Sequence, residues 1–270
     1  MVKQAFLILL LSICPLPAMA DASGIATSVW LGATALEFDY EEYDDQGDSL
    51  DREEGLLPGV NAGASIEGNR WFVESGLLWS YGRVDYNSSA VDSETDEQIL
   101  NLEVIAGTPL YASGRQRASL VAGAGYRNWQ RDIYSTPTVN GLNETYQWYY
   151  WLLGLRGEHE FNERTRIVAD VQLTRTANPD VEVDFKANYD DVSLDLGEEA
   201  GFKAGLTLLR KMSGSASLWL TPWYERWELG RSKDKDLYQN GVPVGTVWEP
   251  RSETHNYGVS FGVRWQFGGS

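Results

Sequence analysis

The final fifteen residues of the chain, NYGVSFGVRWQFGGS, alternate strictly. Tyr257, Val259, Phe261, Val263, Trp265 and Phe267 are apolar, and Asn256, Gly258, Ser260, Gly262, Arg264 and Gln266 are small or polar. Period two predicts a strand with one apolar and one wet face. Nine earlier segments repeat the pattern. Trp30, Leu36, Phe38 and Tyr40 oppose Glu37, Asp39 and Glu41, and Val60, Ala62, Ala64 and Ile66 oppose Asn61, Gly63, Ser65 and Glu67. Trp71, Val73, Leu77, Trp79 and Tyr81 face away from Glu74, Gly76 and Ser80, and Leu100, Leu102, Val104 and Ala106 from Asn101, Glu103 and Gly107. Leu120, Ala122, Ala124 and Tyr126 oppose Gly123, Gly125 and Arg127, and Tyr149, Trp151, Leu153 and Leu155 oppose Gly154, Arg156 and Glu158. Ile167, Ala169, Val171 and Leu173 alternate with Asp170, Gln172 and Thr174, and Phe202, Ala204, Leu206 and Leu208 with Lys203, Gly205 and Thr207. In the ninth segment Leu218, Leu220, Pro222 and Tyr224 oppose Ser217, Thr221 and Glu225, but Trp219, Trp223 and Trp227 share the polar parity. Pro222 lacks a ladder donor and predicts a bulge there.

The connectors alternate as well. After the even strands come the short turns EGNRW, ASGRQR, FNERT and MSGSA; after the odd ones come longer polar stretches such as EEYDDQGDSLDREEG, NSSAVDSETDE and SKDKDLYQNGVPVGTVWEP. Short turns at one end and long loops at the other are the asymmetry of a transmembrane β-barrel, with the turns periplasmic and the loops extracellular. An even strand count puts both termini on the periplasmic side.

The start of the chain agrees with export. Lys3, an apolar run from Ala5 to Ile13 and the small-residue exit Ala18-Met19-Ala20 read as a signal peptide over residues 1–20, too short to span as a helix. Cys14 invites a lipoprotein reading, which the bulky Ile13 before it and the better cut after Ala20 argue against. Loss of the signal removes the only Cys, so a disulfide cannot stabilise the mature chain. It also removes Lys3 and no acid, taking the formal charge from −17 to −18, a balance that excludes nucleic-acid phosphate as a partner.

The expected fold is therefore all-β: one antiparallel up-and-down barrel of about ten strands over residues 21–270, with its apolar face toward lipid. A soluble sandwich also alternates, but it would have to expose the mid-strand Glu and Arg residues on its outer faces. In a barrel those residues point inward. Glu37, Asp39, Glu67, Glu74, Glu103, Glu158, Asp170 and Glu225 are thus expected in the lumen with Arg127, Arg131, Arg156, Lys203 and Arg264. The interior of a small barrel is just filled by side chains, so mixed charges predict a paired plug, with a narrow ion or solute path as the alternative.

With these residues in place, the mature chain resembles the small outer-membrane β-barrel proteins of Gram-negative bacteria over its whole length. The closing VSFGVRWQF resembles the terminal strand that the barrel-assembly machinery recognises in that class. The resemblance implies an assembly signal at Tyr257, Phe261, Val263, Trp265 and Phe267, with one departure: Gly268-Gly269-Ser270 follow the final aromatic. Ten strands is also the size of the omptin proteases, a resemblance that implies an Asp pair and an Asp/His pair at the extracellular rim. Here His159, in GEHEF, falls beside a periplasmic turn. His255, in SETHNYG, lacks the neighbouring Asp of that pattern and has outward parity. A general base needs a positioned partner, so no catalytic residue is expected.

The first long loop, EEYDDQGDSLDREE, sets eight carboxylates against one Arg. Solvated charge is its primary reading; divalent cations, bridging to lipopolysaccharide phosphates, are the other partners such a loop suits. The function expected from the sequence is a structural or surface-interaction role in the outer membrane, through acidic extracellular loops and without a cofactor. Outer-membrane lipid and lipopolysaccharide are the expected surroundings, and the external partner is not identified. A narrow pore and a rim hydrolase are the two alternatives.

Overall fold

A computed structural model describes residues 24–268 apart from 90 and 187. The predicted signal and the last two residues of the Gly-Gly-Ser tail lie outside the described residues. Ten strands form a closed antiparallel ring. In order round it these are β1 (Ala26–Tyr43), β2 (Ser49–Glu67), β3 (Phe72–Ser88), β4 (Asp92–Ser113), β5 (Gln116–Ile133), β6 (Asn143–Asn162), β7 (Thr165–Asp184), β9 (Ala200–Ser213), β10 (Ala216–Leu229) and β13 (Arg251–Gly268). β13 closes the ring by pairing with β1 from Gly268 against Ala26 to Arg251 against Tyr43. Three shorter strands sit in the outer connections: β8 (Val192–Asp195) pairs antiparallel with the outer end of β7, and β11 (Lys235–Gln239) pairs with β12 (Val242–Val247) in a separate hairpin.

The ring strands run 14 to 22 residues. A tilted strand needs only about 9–11 residues to cross the hydrocarbon core. The surplus stands outside the membrane, and the outward side chains mark where. Leu31, Val60, Val104, Leu153, Leu173 and Val259 are exposed within an apolar band. On the extracellular side the band ends at outward tyrosines, with Tyr126 and Tyr149 5.3 Å apart and Tyr224 and Tyr257 5.0 Å apart between ring centroids. On the periplasmic side it ends at the exposed Trp71, Phe161, Trp265 and Phe267. Aromatic girdles at both interfaces are what an amphipathic ring favours.

Beyond the tyrosines the two faces exchange character. Outward residues become charged, and the lumen becomes apolar: Leu36, Phe38, Leu57, Ile99, Trp129 and Trp227 are all buried there. This inversion corrects the sequence reading of β1. Its outward face is Val29, Leu31, Ala33 and Ala35 and then Glu37, Asp39 and Glu41, while Trp30, Leu36, Phe38 and Tyr40 face the lumen. Glu37 and Asp39 are therefore not lumen residues; Asp39 pairs across the outer surface with Arg52 at 2.9 Å. The physical reason is solvent: above the membrane the outside of the wall meets water and the inside becomes the core.

Two of the expected long loops are also mostly strand. β1 runs to Tyr43 and β2 resumes at Ser49, so only residues 44–48 turn, held by Asp44 Oδ1 accepting from the Gln46 and Asp48 amides at 2.8 and 2.9 Å. Likewise β3 runs to Ser88 and β4 begins at Asp92. Polar composition there reflects wetted strand. No bulge forms at Pro222: it sits opposite Val259 in an unbroken register with β13, while the pairing with β9 is interrupted at Thr221 and Pro222 and resumes in the same register at Trp223. The register shift of β10 falls instead at Ala216 and Ser217.

Glycines on the lumen parity make room for indoles. A Cβ on Gly63 would stand 2.1 Å from Trp30 Cζ2, one on Gly32 2.5 Å from Trp219 Cζ2, and one on Gly258 2.1 Å from Trp223 Cζ2. The lumen indoles thus lie down over the neighbouring strands, where a larger residue would push them inward.

The lumen as candidate functional site

The interior has an extracellular and a membrane-level tier. The extracellular tier is built around Arg131 on β5, whose guanidinium carries the positive charge of the group. Its Nη1 donates to Glu144 Oε2 at 2.7 Å and reaches Glu42 at 3.4 Å, its Nη2 lies 3.0 Å from Glu53, and its Nε 3.6 Å from Glu97. Glu53 also accepts from Thr95 at 2.7 Å, Glu97 accepts from the Trp129 indole, and Glu249 accepts from the Tyr146 hydroxyl. Phe38, Tyr40, Trp129 and Tyr146 pack as one aromatic group beside it, with Trp129 stacked on Tyr146 at 4.6 Å.

One cation cannot neutralise this many buried carboxylates, so the folded state retains protons. Burial, reinforced by Glu53, holds the Glu97 carboxyl well above the usual range, and burial with Glu42 and Glu144 does the same to Glu249. Burial pushes Glu144 up to about 7 against the pull of Arg131, and burial with Glu42 pushes Asp51 up to about 7. All these groups lie above the tyrosine girdle. Carboxyls that share a site while desolvated behave in this way.

In the membrane-level tier every acid is held by a cation. Arg156 bridges Glu74 and Asp170 at 2.8 Å each, Lys203 pairs with Glu103, and Arg127 with Glu225. Arg166 holds Glu158 at 3.2 Å and Arg117 holds Glu67. All of these except Arg117 line a chamber of about 320 Å³. Its extracellular end is stopped by Trp148, Tyr150 and Trp227, whose rings meet at 5.9 and 4.8 Å. The guanidinium of Arg127 lies 5.0 Å from the Trp227 ring. Exposure rises toward the periplasm, from 3% at the Arg127 side chain to 35% at Glu67.

Of the residues expected in the lumen, Glu67, Glu74, Glu103, Arg127, Arg156, Glu158, Asp170, Lys203, Glu225 and Arg264 line this chamber. Arg131 belongs to the extracellular tier, and Glu37 and Asp39 to the outer wall. Sequence reasoning did not place Glu42, Glu53, Glu97, Glu144 and Glu249 together. The signal that points to them is the alternation of Glu or Asp with Leu, Phe, Tyr or Ile on one parity, as in Leu36, Phe38, Tyr40 and Glu42.

The histidines lie elsewhere. His159 packs on Phe161 at 4.7 Å beside the turn that joins β6 to β7. His255 is on the outer wall, with Nδ1 2.9 Å from the Tyr224 hydroxyl and Nε2 3.5 Å from Glu253. Glu253 is itself held by Arg226 at 2.9 Å and Arg251 at 2.8 Å. Among the described residues, no group of three or more His, Cys, Asp or Glu side chains is arranged to hold a metal ion, the carboxylates of the first outer turn included.

Residues 6–207 match the family described as the outer membrane protein beta-barrel domain. The chain belongs to that family. Among solved structures it is similar to the outer membrane protease OmpT of Escherichia coli, at 12% identity and a TM-score of 0.58, covering 90% of this chain and 96% of that one. It is also similar to the outer membrane protein OprG of Pseudomonas aeruginosa, at 9% identity and a TM-score of 0.48, covering 92% and 98%. At such identities the likeness concerns the fold. No curated protein matches the sequence. The chain is an outer-membrane β-barrel protein, and its strands cross that membrane between the two aromatic girdles.

Proposed function

We propose that this barrel is closed to ions and acts at the cell surface through the wall that stands above the membrane. The observation that carries the reading is the inversion of the lumen beyond the tyrosine girdle, where Leu36, Phe38, Trp129 and Trp227 pack into a stopper while Glu37, Glu41, Glu54, Asp85 and Asp132 face out. Conduction needs a continuous wet path, usually lined by one sign of charge, and the paired Arg127 and Glu225 beneath the stopper supply the opposite arrangement. The acidic outer wall favours a cationic partner, or lipopolysaccharide phosphates reached through divalent ions. Hydrolysis is no part of the reading, because His255 stands on the outer wall bound to Tyr224.

The test is single-channel recording of the purified protein in planar bilayers. The expected record has no steady steps in either polarity. A reproducible step whose size changes with Arg127→Gln or Glu103→Gln would overturn the closed barrel and favour a pore. Hydrolysis of peptides or lipids that vanishes with His255→Ala would overturn it in favour of an enzyme.

A further inference from the structure

We propose that the membrane-level chamber is a binding site for a small organic carboxylate with an apolar body. The proposal is independent of the surface role above. Every carboxylate lining the chamber is engaged by a cation: Glu74 and Asp170 by Arg156, Glu103 by Lys203, Glu158 by Arg166, Glu225 by Arg127 and Glu67 by Arg117. Arg264 is different. Among the described residues no carboxylate oxygen lies within 4 Å of it; it donates to Ser65 Oγ at 2.8 Å and lies 5.5 Å from the Trp30 ring. On the neighbouring strand Ser217 is opposite Arg264, and the next lumen residue, Trp219, has a buried indole N–H with no hydrogen-bond partner.

A guanidinium with no carboxylate in contact and an unused indole N–H on adjacent strands, both lining one cavity, are two donors open to an acceptor. A buried donor left unmatched is costly, so a carboxylate bridging the two is the complement they select. The rest of the ligand follows from the walls. Trp30, Phe72, Trp219 and Trp223 line the same cavity, and Gly63, Gly107, Gly32 and Gly258 let their rings lie close against the sheet. These surfaces are apolar and flat, suited to a small ring or short hydrocarbon. The volume of about 320 Å³ lies at the small end of ligand pockets, which run from about 300 to 1,000 Å³. The exposure gradient along the lumen makes the periplasmic end the entrance.

The experiment is isothermal titration of the folded, full-length barrel in detergent micelles with sodium benzoate, read in parallel by tryptophan fluorescence. Benzylamine keeps the ring and reverses the charge; acetate keeps the charge and removes the ring. The expected result is saturable benzoate binding that quenches fluorescence, with both controls weaker by roughly tenfold or more. Arg264→Gln should weaken benzoate by a similar factor, and Trp219→Phe, which keeps an aromatic ring but removes the N–H together with the second ring of the indole, by roughly three- to tenfold. Should Arg264→Gln fail to fold, Trp219→Phe decides alone. Absence of saturable benzoate binding to the native protein, equal binding of benzylamine or acetate, or unchanged affinity in both variants would each overturn the proposal.

Discussion

Arg131→Met removes the cation at the centre of the extracellular tier while keeping much of its volume. In the native protein four carboxylates lie within 4 Å of the guanidinium, at 2.7, 3.0, 3.4 and 3.6 Å. Deleting one partner of a buried ion pair typically costs about 3–5 kcal/mol, since the other is left uncompensated. The penalty depends on the carboxyls being ionised. Glu144 rises in the folded state from 4.5 to about 7, so ionising it there costs about 3 kcal/mol, absent below pH 4.5 and complete above about 7. Asp51 titrates in the same direction, and burial holds the Glu97 and Glu249 carboxyls well above their usual range. With raised acid values the native protein itself loses stability as pH climbs through this window. Without Arg131 the loss steepens, and it should be local, because the membrane ladders do not depend on it. The assay is limited proteolysis and amide exchange of β4 to β6 at pH 4.5, 6 and 8. Protection near native at pH 4.5 that falls by two or more orders of magnitude at pH 8 is the expected result. A variant as protected as the native protein at pH 8, or equally unprotected at pH 4.5, would refute the reasoning.

Glu144→Gln keeps an acceptor for Arg131 and removes the titration, so the decline of protection between pH 4.5 and 7 should flatten, as read by the same exchange series. Gly63→Ala sets a methyl 2.1 Å from Trp30 Cζ2 and 2.3 Å from the Ser75 carbonyl oxygen, and should cost about 1–3 kcal/mol in urea unfolding. Gly76→Ala meets nothing within 4 Å and should be near neutral; equal effects would remove steric room as the reason for the lumen glycines. Phe267→Asp at the exposed periplasmic girdle should cost only about 0–1 kcal/mol once folded, yet leave unassembled chain in the periplasm in vivo. Normal outer-membrane levels of that variant would remove Phe267 from the assembly signal.

The barrel was legible because its two solvents, lipid outside and polar groups inside, impose opposite demands on neighbouring residues at membrane depth. Val60, Ala62, Ala64 and Ile66 alternate with Asn61, Gly63, Ser65 and Glu67 for that reason, and the structure places them so. The reading failed where the solvent changes. In β1 the most conspicuous apolar residues, Leu36, Phe38 and Tyr40, lie above the membrane, where the apolar face is the inner one. Trp30 reinforced the error, since a lumen indole resting on Gly63 shares their parity.

The same boundary explains why the candidate sites were half visible. Acids at membrane depth need a cation beside them, so alternate Glu and Arg on the inner parity pointed to the chamber, and Arg156 between Glu74 and Asp170 is what such a pattern requires. Above the membrane no such rule holds strand by strand. Glu42, Glu53, Glu97 and Glu144 come from four strands, and only closure of the ring brings them to one arginine. Their alternation with Tyr40, Ile99 and Tyr146 carried the information, but in a strand that could equally have met lipid. A parity that switches along one strand, as between Ala35 and Glu37, dates the exit from the membrane to that residue. On β1, β2, β4 and β6 the first acids beyond that switch on the inner, apolar parity are Glu42, Glu53, Glu97 and Glu144, and these are the ones the stopper encloses.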